Sequence, residues 1–122
     1  MATIITSPSI ITAQGNKPKK IEEYFGRVNS ETQSVSIARM KSPAGWVEPG
    51  QCPNFDEYTV VLKGVLRVKT KNETIDVKEG QAVLISENEW VQYSSPFVGG
   101  AEYFAVCLPA FSPDLVHRDV NE

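Results

Sequence analysis

The chain has 122 residues, of which 41% are hydrophobic and 22% charged, and its formal net charge at pH 7 is -3. This composition is typical of a globular domain and excludes a disordered or collagen-like chain. The small negative charge disfavours nucleic acid or an anionic membrane as a partner, and no apolar run approaches the roughly 20 residues of a membrane-spanning helix. The N-terminal residues carry no secretory signal pattern, so we expect a cytoplasmic protein. The length of the chain suits one main folded unit.

The first twenty residues are predicted to form an N-terminal arm containing a short strand. Four isoleucines make this segment too apolar for a freely solvated tail, namely Ile4, Ile5, Ile10 and Ile11. We therefore expect the arm, residues 1–20, to pack either on a neighbouring chain or on the wall of a barrel domain formed by residues 21–122.

Strand patterns dominate the chain after the arm. Residues 34–40 alternate polar and apolar side chains, as half-buried strands do. Residues 57–62 are rich in β-branched side chains, and residues 65–70 follow them directly. We expect these two segments to be neighbouring strands joined by a tight turn at Lys63-Gly64.

Further strand patterns occur at regular intervals, whereas residues 21–25 fit either a strand or a short helical turn. The other predicted strands are 45–48, 74–77, 82–85, 90–94 and 102–108. About eight short strands, with turns every eight to twelve residues, indicate a β-sandwich or a closed barrel. Helices are expected to contribute little.

A frame of glycines and a carboxylate occupies the middle of the chain. It runs from Gly45 through Gln51-Cys52-Pro53 and Glu57 to Gly64. This frame resembles the first cupin motif, in which five residues separate a glycine from His-x-His, three or four more precede a Glu, and six more precede a second Gly. The spacing fits without a gap, and the glycines suit tight turns between strands.

A second frame follows fifteen residues later, from Gly80 through Ser86-Glu87-Asn88 and Val91 to Ser95. It is similar to the second cupin motif, which reads Gly, five residues, Pro-x-Gly, two residues, His, three residues, Asn. The resemblance implies an all-β fold, a cupin-type double-stranded β-helix or jelly-roll barrel with an N-terminal arm.

The resemblance also implies where a metal would bind in cupins that hold one. The four ligand positions, His, His, Glu and His in those proteins, correspond here to Gln51, Pro53, Glu57 and Val91. Pro and Val cannot coordinate a metal, and a neutral amide is a poor ligand for the metals that imidazole suits. We expect these positions to converge at the barrel mouth and to hold no metal and no other cofactor.

Glu57 is the main catalytic candidate, with Tyr93 and Tyr103 as assisting residues. It either faces the barrel interior or is a solvated edge residue beside Asp56, and the motif register favours the interior. Desolvation in a partly apolar pocket would raise the pKa of Glu57, which suits general acid or base chemistry near neutral pH.

Other residues are predicted to line a ligand pocket. In the last strand, either Tyr103, Ala105 and Cys107 or Phe104, Val106 and Leu108 face inward, and the smaller, more polar first set suits a cavity better. The predicted pocket residues are Gln51, Pro53, Phe55, Thr59, Val91 and Cys107.

The single histidine, His117, lies in the C-terminal tail, where a solvated surface position is expected. If the tail folded back to the barrel mouth, His117 would supply a base or a second metal ligand. Cys52 has no histidine near it in sequence and is expected to be unreactive.

Three functions remain open at this point. The first is a metal-free barrel that binds a small molecule of unknown identity or has no ligand. The second is an isomerase or lyase that uses Glu57 as general acid or base. The third is a metalloenzyme with the unusual ligands Gln51 and Glu57, with or without His117.

Residues 45–57, Glu89-Trp90 and 108–119 further resemble a bacterial cupin subgroup named after the ethanolamine utilisation cupin. Small cupins leave an edge strand and an apolar outer face, so we also expect a homodimer.

Overall fold

The computed structural model describes residues 1–120, and strands carry most of their regular structure. The strands are β1 (Ser9–Ile11), β2 (Lys20–Phe25), β3 (Ser36–Ser42), β4 (Trp46–Val47), β5 (Asp56–Thr70), β6 (Thr74–Lys78), β7 (Ala82–Ile85), β8 (Val91–Ser95) and β9 (Ala101–Leu108). One helix of four residues, α1 (Pro113–Val116), follows the last strand. Within residues 1–120 no helix has the length and apolar character needed to cross a membrane.

The strands form one curled antiparallel sheet in the order β1-β2-β3-β9-β5-β8-β4, with β6 and β7 also pairing with β5. The first half of β5 pairs with β7 and β9, and its second half pairs with β6 and β8. A strand shared by both halves of the sheet closes them into a barrel. The all-β jelly-roll fold predicted from the sequence is confirmed.

The predicted tight turn at Lys63-Gly64 is wrong, because β5 is one continuous strand of 15 residues. Gly64 has φ +75, and the register against β9 shifts between Val61 and Lys63. A Cβ at position 64 would collide with the carbonyl oxygen of Gly100. The glycine therefore bends a long strand from one half of the sheet to the other, rather than reversing the chain.

The other strands lie close to their predicted positions. Residues 82–85 form β7 as predicted, and β3, β8 and β9 are shifted by one or two residues from the predicted ranges. Residues 21–25 belong to a strand and not to a helical turn, because they pair with β1 on one side and β3 on the other.

The N-terminal arm is joined to the barrel by backbone pairing. Its short strand β1 pairs with β2, and the following residues lie along β4. Trp46 Nε1 donates to the carbonyl of Gln14 at 3.1 Å, and Val47 N donates to Asn16 Oδ1 at 2.8 Å. The arm thus packs on its own barrel, while the division at residue 20 stays a prediction and residues 121–122 lie outside the described range.

Two apolar clusters make up the barrel interior. The larger one contains Trp46, Leu66, Val68 and Val91, all at most 1% exposed. The smaller one contains Phe55, Cys107 and Val116, with Phe111 and Leu115 packed against it. Members of both clusters line one cavity, which is the candidate functional site.

Candidate functional site

The cavity inside the barrel has a volume of about 70 Å³. Since one ordered water needs about 10–15 Å³ of such space, it has room for several waters or one small ligand. Its walls come from the arm, from β2, β3, β5, β8 and β9, and from the C-terminal tail. Both termini therefore contribute to the site.

Glu57 faces this cavity and is 9% exposed. The hydroxyl of Tyr93 donates to its Oε1 at 2.7 Å, and Cys107 Sγ lies 3.8 Å from its Oε2. Burial raises the pKa of Glu57, while the hydrogen bond from Tyr93, the charge of Lys19 and the Cys107 thiol oppose that rise. The carboxyl is thus desolvated and held in a fixed orientation.

The two tyrosines of the cavity stay protonated near neutral pH. Burial raises the pKa of Tyr103, with Lys19 opposing, and burial together with Glu57 raises the pKa of Tyr93 well above its usual value. Tyr103 OH lies 3.0 Å from Ser42 Oγ. Both phenols are therefore hydrogen-bond donors, and that of Tyr93 is already used by Glu57.

Glu48, just after β4, is a second buried carboxyl in the cavity and is 9% exposed. Burial raises its pKa to about 7, with Glu57 adding to the rise and Lys19 and Arg118 opposing it. Glu48 thus changes protonation state close to neutral pH. A carboxyl with this behaviour in an enclosed cavity is typical of functional sites.

Lys19, at the end of the arm, brings an ammonium group to the cavity. Its Nζ lies 4.1 Å from the ring centroid of Trp46 and 5.1 Å from that of Tyr103. Burial acts to lower its pKa, but Tyr103, Glu48 and Glu57 outweigh that effect and the pKa lies above its usual value. Lys19 is therefore charged, and within residues 1–120 it has no carboxylate oxygen within 4 Å.

Arg118 reaches the cavity because the C-terminal tail pairs with the segment before β5. Asp119 N donates to Gly50 O at 2.7 Å, and Cys52 N donates to His117 O at 3.1 Å. Arg118 consequently lies opposite Gln51 in an isolated antiparallel bridge. Within the described chain, Arg118 Nε and Gln51 Oε1 are buried atoms without a hydrogen-bond partner.

The structure brings together most of the residues predicted from sequence. Seven of the nine line the cavity, namely Gln51, Phe55, Glu57, Thr59, Tyr93, Tyr103 and Cys107. Pro53 and Val91 are fully buried but do not line it. Of the four positions expected to converge at the mouth, only 51 and 57 meet in the cavity. Pro53 lies in the loop before β5, and Val91 packs in the larger cluster.

His117 lies outside the cavity. It is exposed, and its Nε2 contacts Asn54 Oδ1. Its neighbour Arg118 turns inward instead, because His117 ends α1 in a left-handed conformation. Cys52 is half-buried, with its thiol 3.3 Å from the carbonyl of Asn88, and does not line the cavity either.

Sequence reasoning missed four charged residues of the cavity wall: Lys19, Glu23, Glu48 and Arg118. Glu48 was detectable, since it lies two residues after the buried Trp46 and strand periodicity places both on one face. Lys19 looks like part of a solvated basic segment, and only the folded arm and tail show that Lys19 and Arg118 reach the cavity.

The cavity residues do not match a cupin metal centre. Of the four ligand positions, Gln51 and Glu57 alone carry donor atoms, and one of these is a neutral amide. Within residues 1–120 no group of three or more His, Cys, Asp or Glu side chains is arranged to hold a metal ion.

Solved structures of low sequence identity share this barrel. The EutQ protein of Clostridium difficile is 20% identical with a TM-score of 0.63, over 75% of this chain and 63% of that protein. A predicted oxalate decarboxylase of Thermotoga maritima is 17% identical with a TM-score of 0.71, over 89% of this chain and 99% of that protein. The polyketide cyclase RemF of Streptomyces resistomycificus is 15% identical with a TM-score of 0.73, over 100% and 87%. The fold is that of the cupins.

The cupin barrel also has a curated relative. Endoribonuclease YbeY of Myxococcus xanthus (strain DK1622) is 39% identical over 101 residues, which are 83% of this chain and 34% of the relative. The chain thus spans about a third of that protein. No family model matches the chain.

Proposed function

We propose that this cupin barrel binds a small polar organic molecule in its central cavity without a metal. The observation that carries the proposal is the pair of buried, unpartnered polar atoms, Gln51 Oε1 and Arg118 Nε, at one enclosed cavity. Leaving such atoms without partners costs roughly 1–3 kcal/mol each. A ligand that supplies the missing hydrogen bonds recovers this free energy on binding.

The metal-free part of the proposal is supported by the donor set. A stable transition-metal site needs three or more protein ligands, and Glu57 is the only strong ligand left from the cupin set. The alternative metalloenzyme needs His117 as a further ligand, and that side chain points to Asn54 on the surface. This placement weakens the metal hypothesis.

A second candidate function, an isomerase or lyase, is favoured by the two buried carboxyls with raised pKa values. In such a reaction the Glu57 carboxylate removes a proton from a carbon next to a carbonyl. The phenol of Tyr103 donates a hydrogen bond to the oxyanion that forms, and the protonated Glu57 returns the proton. The Tyr93 hydroxyl orients Glu57 for this transfer.

The match to an endoribonuclease over a third of its length supports a modular role. We propose that the shared segment is a ligand-binding barrel in both proteins. We further propose that this barrel is cytoplasmic and a homodimer, and that its partner is a small molecule and not a nucleic acid. The net charge of -3 gives no overall attraction to a phosphate backbone.

Native mass spectrometry of the protein, purified without added metal or chelator, tests the primary function. The expected result is a fraction of the chain carrying one small organic molecule that is released on unfolding. Gln51→Ala is expected to lose this molecule, and Gln33→Ala, an exposed position outside the cavity, to retain it. Retention by both variants would contradict binding in the cavity.

A further inference from the structure

Two unpartnered polar atoms of the cavity restrict the class of ligand that it can bind. Arg118 Nε is a hydrogen-bond donor and Gln51 Oε1 is an acceptor, and their residues face each other across one backbone bridge. A ligand that satisfies both must present an acceptor to Arg118 and a donor to Gln51, and the bridge holds these two residues side by side. A carboxylate with a hydroxyl on the adjacent carbon has this pattern.

Lys19 and Arg118 both line the cavity, and in the described chain neither has a carboxylate oxygen within 4 Å. Two cations beside one enclosed space attract an anion more strongly than they would in water, because the interior screens charge poorly. A negatively charged ligand group is thus favoured.

The carboxyl groups of the cavity wall do not neutralise these two cations, so both can bind an anionic ligand. Glu23 Oε2 accepts from the backbone amides of Val28 at 3.1 Å and Asn29 at 2.8 Å. Glu57 accepts from Tyr93. Glu48 is close enough to both cations for each to lower its pKa, yet burial still holds that pKa at about 7, so a large share of it is uncharged at neutral pH.

A cavity of about 70 Å³ is the space of several waters, which corresponds to a ligand on the order of five or six non-hydrogen atoms. Apolar side chains complete the wall, among them Ala38, Met40 and Ala105. These favour a ligand with a small apolar group beside its polar end.

We infer that the cavity takes a small 2-hydroxy carboxylate, bound through Lys19 and Arg118, with its hydroxyl donating to Gln51. This inference rests on the proposed ligand-binding function and names its substrate class. Lactate, with six non-hydrogen atoms and one methyl group, is the probe that fits all three requirements. Lactamide has the same shape without the charge, and propionate lacks the hydroxyl.

Isothermal titration calorimetry of the full chain with lactate, lactamide and propionate tests the inference. Lactate is expected to bind best, with lactamide weaker by about tenfold or more, because it loses its charge-assisted hydrogen bonds. Propionate is expected to be weaker by a smaller factor of about three to ten, since it leaves Gln51 without a donor.

Two variants assign the contacts. Lys19→Met and Arg118→Met are each expected to weaken lactate binding by about tenfold or more and to weaken lactamide binding by a smaller factor, because lactamide loses only a neutral hydrogen bond. Lys20→Met, which removes the same charge from the adjacent exposed residue, is expected to bind lactate normally. If Lys19→Met does not fold, Arg118→Met with the rescue variant Arg118→Lys carries the same test.

Failure of the inference differs from failure of the proposed function. Equal affinity for lactate and lactamide, or lactate binding unaffected by both variants, would overturn the anion site and leave a ligand-binding barrel. Absence of binding by all three probes would overturn the 2-hydroxy acid assignment. The proposed function would fail with it only if native mass spectrometry also showed no bound molecule.

Discussion

The hydroxyl of Tyr93 donates a hydrogen bond of 2.7 Å to Oε1 of Glu57 inside the barrel. The two residues lie on different strands, β8 and β5, so the contact depends on closure of the barrel. It favours the ionised form of a carboxyl that burial pushes toward the neutral form. These two effects, together with the charge of Lys19 and the Cys107 thiol, set the protonation state of Glu57.

Removing this hydrogen bond should raise the pKa of Glu57. Tyr93→Phe deletes only the hydroxyl, so burial then acts with less opposition, and the buried carboxyl also loses a partner worth roughly 1–3 kcal/mol of stability. Carboxyl carbon NMR across a pH titration measures the shift directly. Tyr58→Phe, on the exposed face of β5, is the matched control and should leave the Glu57 titration unchanged.

Glu57→Gln should keep the fold and remove the contribution of Glu57 to the pH dependence of ligand binding. Gln has nearly the same shape, still accepts from Tyr93 and carries no titrating proton, so the cavity geometry is preserved. Calorimetry with lactate between pH 5 and about pH 8 checks this, with circular dichroism as the control for folding. An unfolded variant, or an unchanged pH profile, would count against Glu57 as a titrating residue of the pocket.

The free energy of unfolding should fall as the pH rises, because Glu48 loses its proton. Its pKa is 4.5 ordinarily and about 7 in the folded protein, so the folded state holds a proton that the unfolded state releases. This contribution is complete below pH 4.5 and is lost as pH rises to about 7, with a size of about 3 kcal/mol.

The matched variant for this effect is Glu48→Gln. The groups that face Glu48 are Lys19 from the arm, Glu57, Tyr93 and Tyr103 from three strands, and Arg118 from the tail. The pKa of Glu57 is also raised in the folded protein, so its titration lowers the unfolding free energy over the same range. Glu48→Gln should therefore reduce and not abolish the fall in unfolding free energy measured in urea at pH 4.5 and pH 7. The same fall in both proteins would assign the effect elsewhere.

The barrel itself was predictable from the spacing of a few residues, whereas the two cations of its site were not. Gly45, Gly64 and Gly80 all have φ near +80, which explains why glycine frames mark this fold. The same sign of φ serves both a turn and a bend in a strand, so the hairpin predicted at Gly64 and the observed continuous strand look alike in sequence. Lys19 and Arg118 lie 99 positions apart, and neither belongs to a motif or a periodic strand. Their convergence follows from tertiary pairing of the arm and tail.

An apolar stripe on the outside of the sheet predicts a homodimer. Tyr58 lies between Leu84 of β7 and Val106 of β9 in the strand register, and Val60 lies beside Phe104. Tyr58, Val60 and Leu84 are 44%, 45% and 49% exposed. Contiguous exposed apolar surface of this kind marks interaction sites, and a two-fold partner would cover it with the same stripe.

Light scattering at micromolar concentration should therefore give twice the chain mass of 13.5 kDa. Val60→Glu should reduce this to the monomer mass, since it places two like charges in the contact. Val28→Glu, at an exposed position in a loop outside the stripe, should remain dimeric. A monomer mass for the unsubstituted protein would contradict the dimer.

Elemental analysis of the protein, purified without added metal or chelator, should find less than about one tenth of a transition-metal ion per chain. The physical reason is the donor set, since Pro53 and Val91 supply no ligand atom and Gln51 supplies a neutral one. Restoring histidine at all three positions, as Gln51→His, Pro53→His and Val91→His together, tests whether the barrel geometry is otherwise competent. Pro53 and Val91 do not line the cavity, so the triple variant is expected to bind zinc or manganese weakly, at micromolar or poorer affinity. Stoichiometric iron, manganese or zinc in the unsubstituted protein, lost in Glu57→Ala, would overturn the metal-free proposal and place the protein among the metal-dependent cupins.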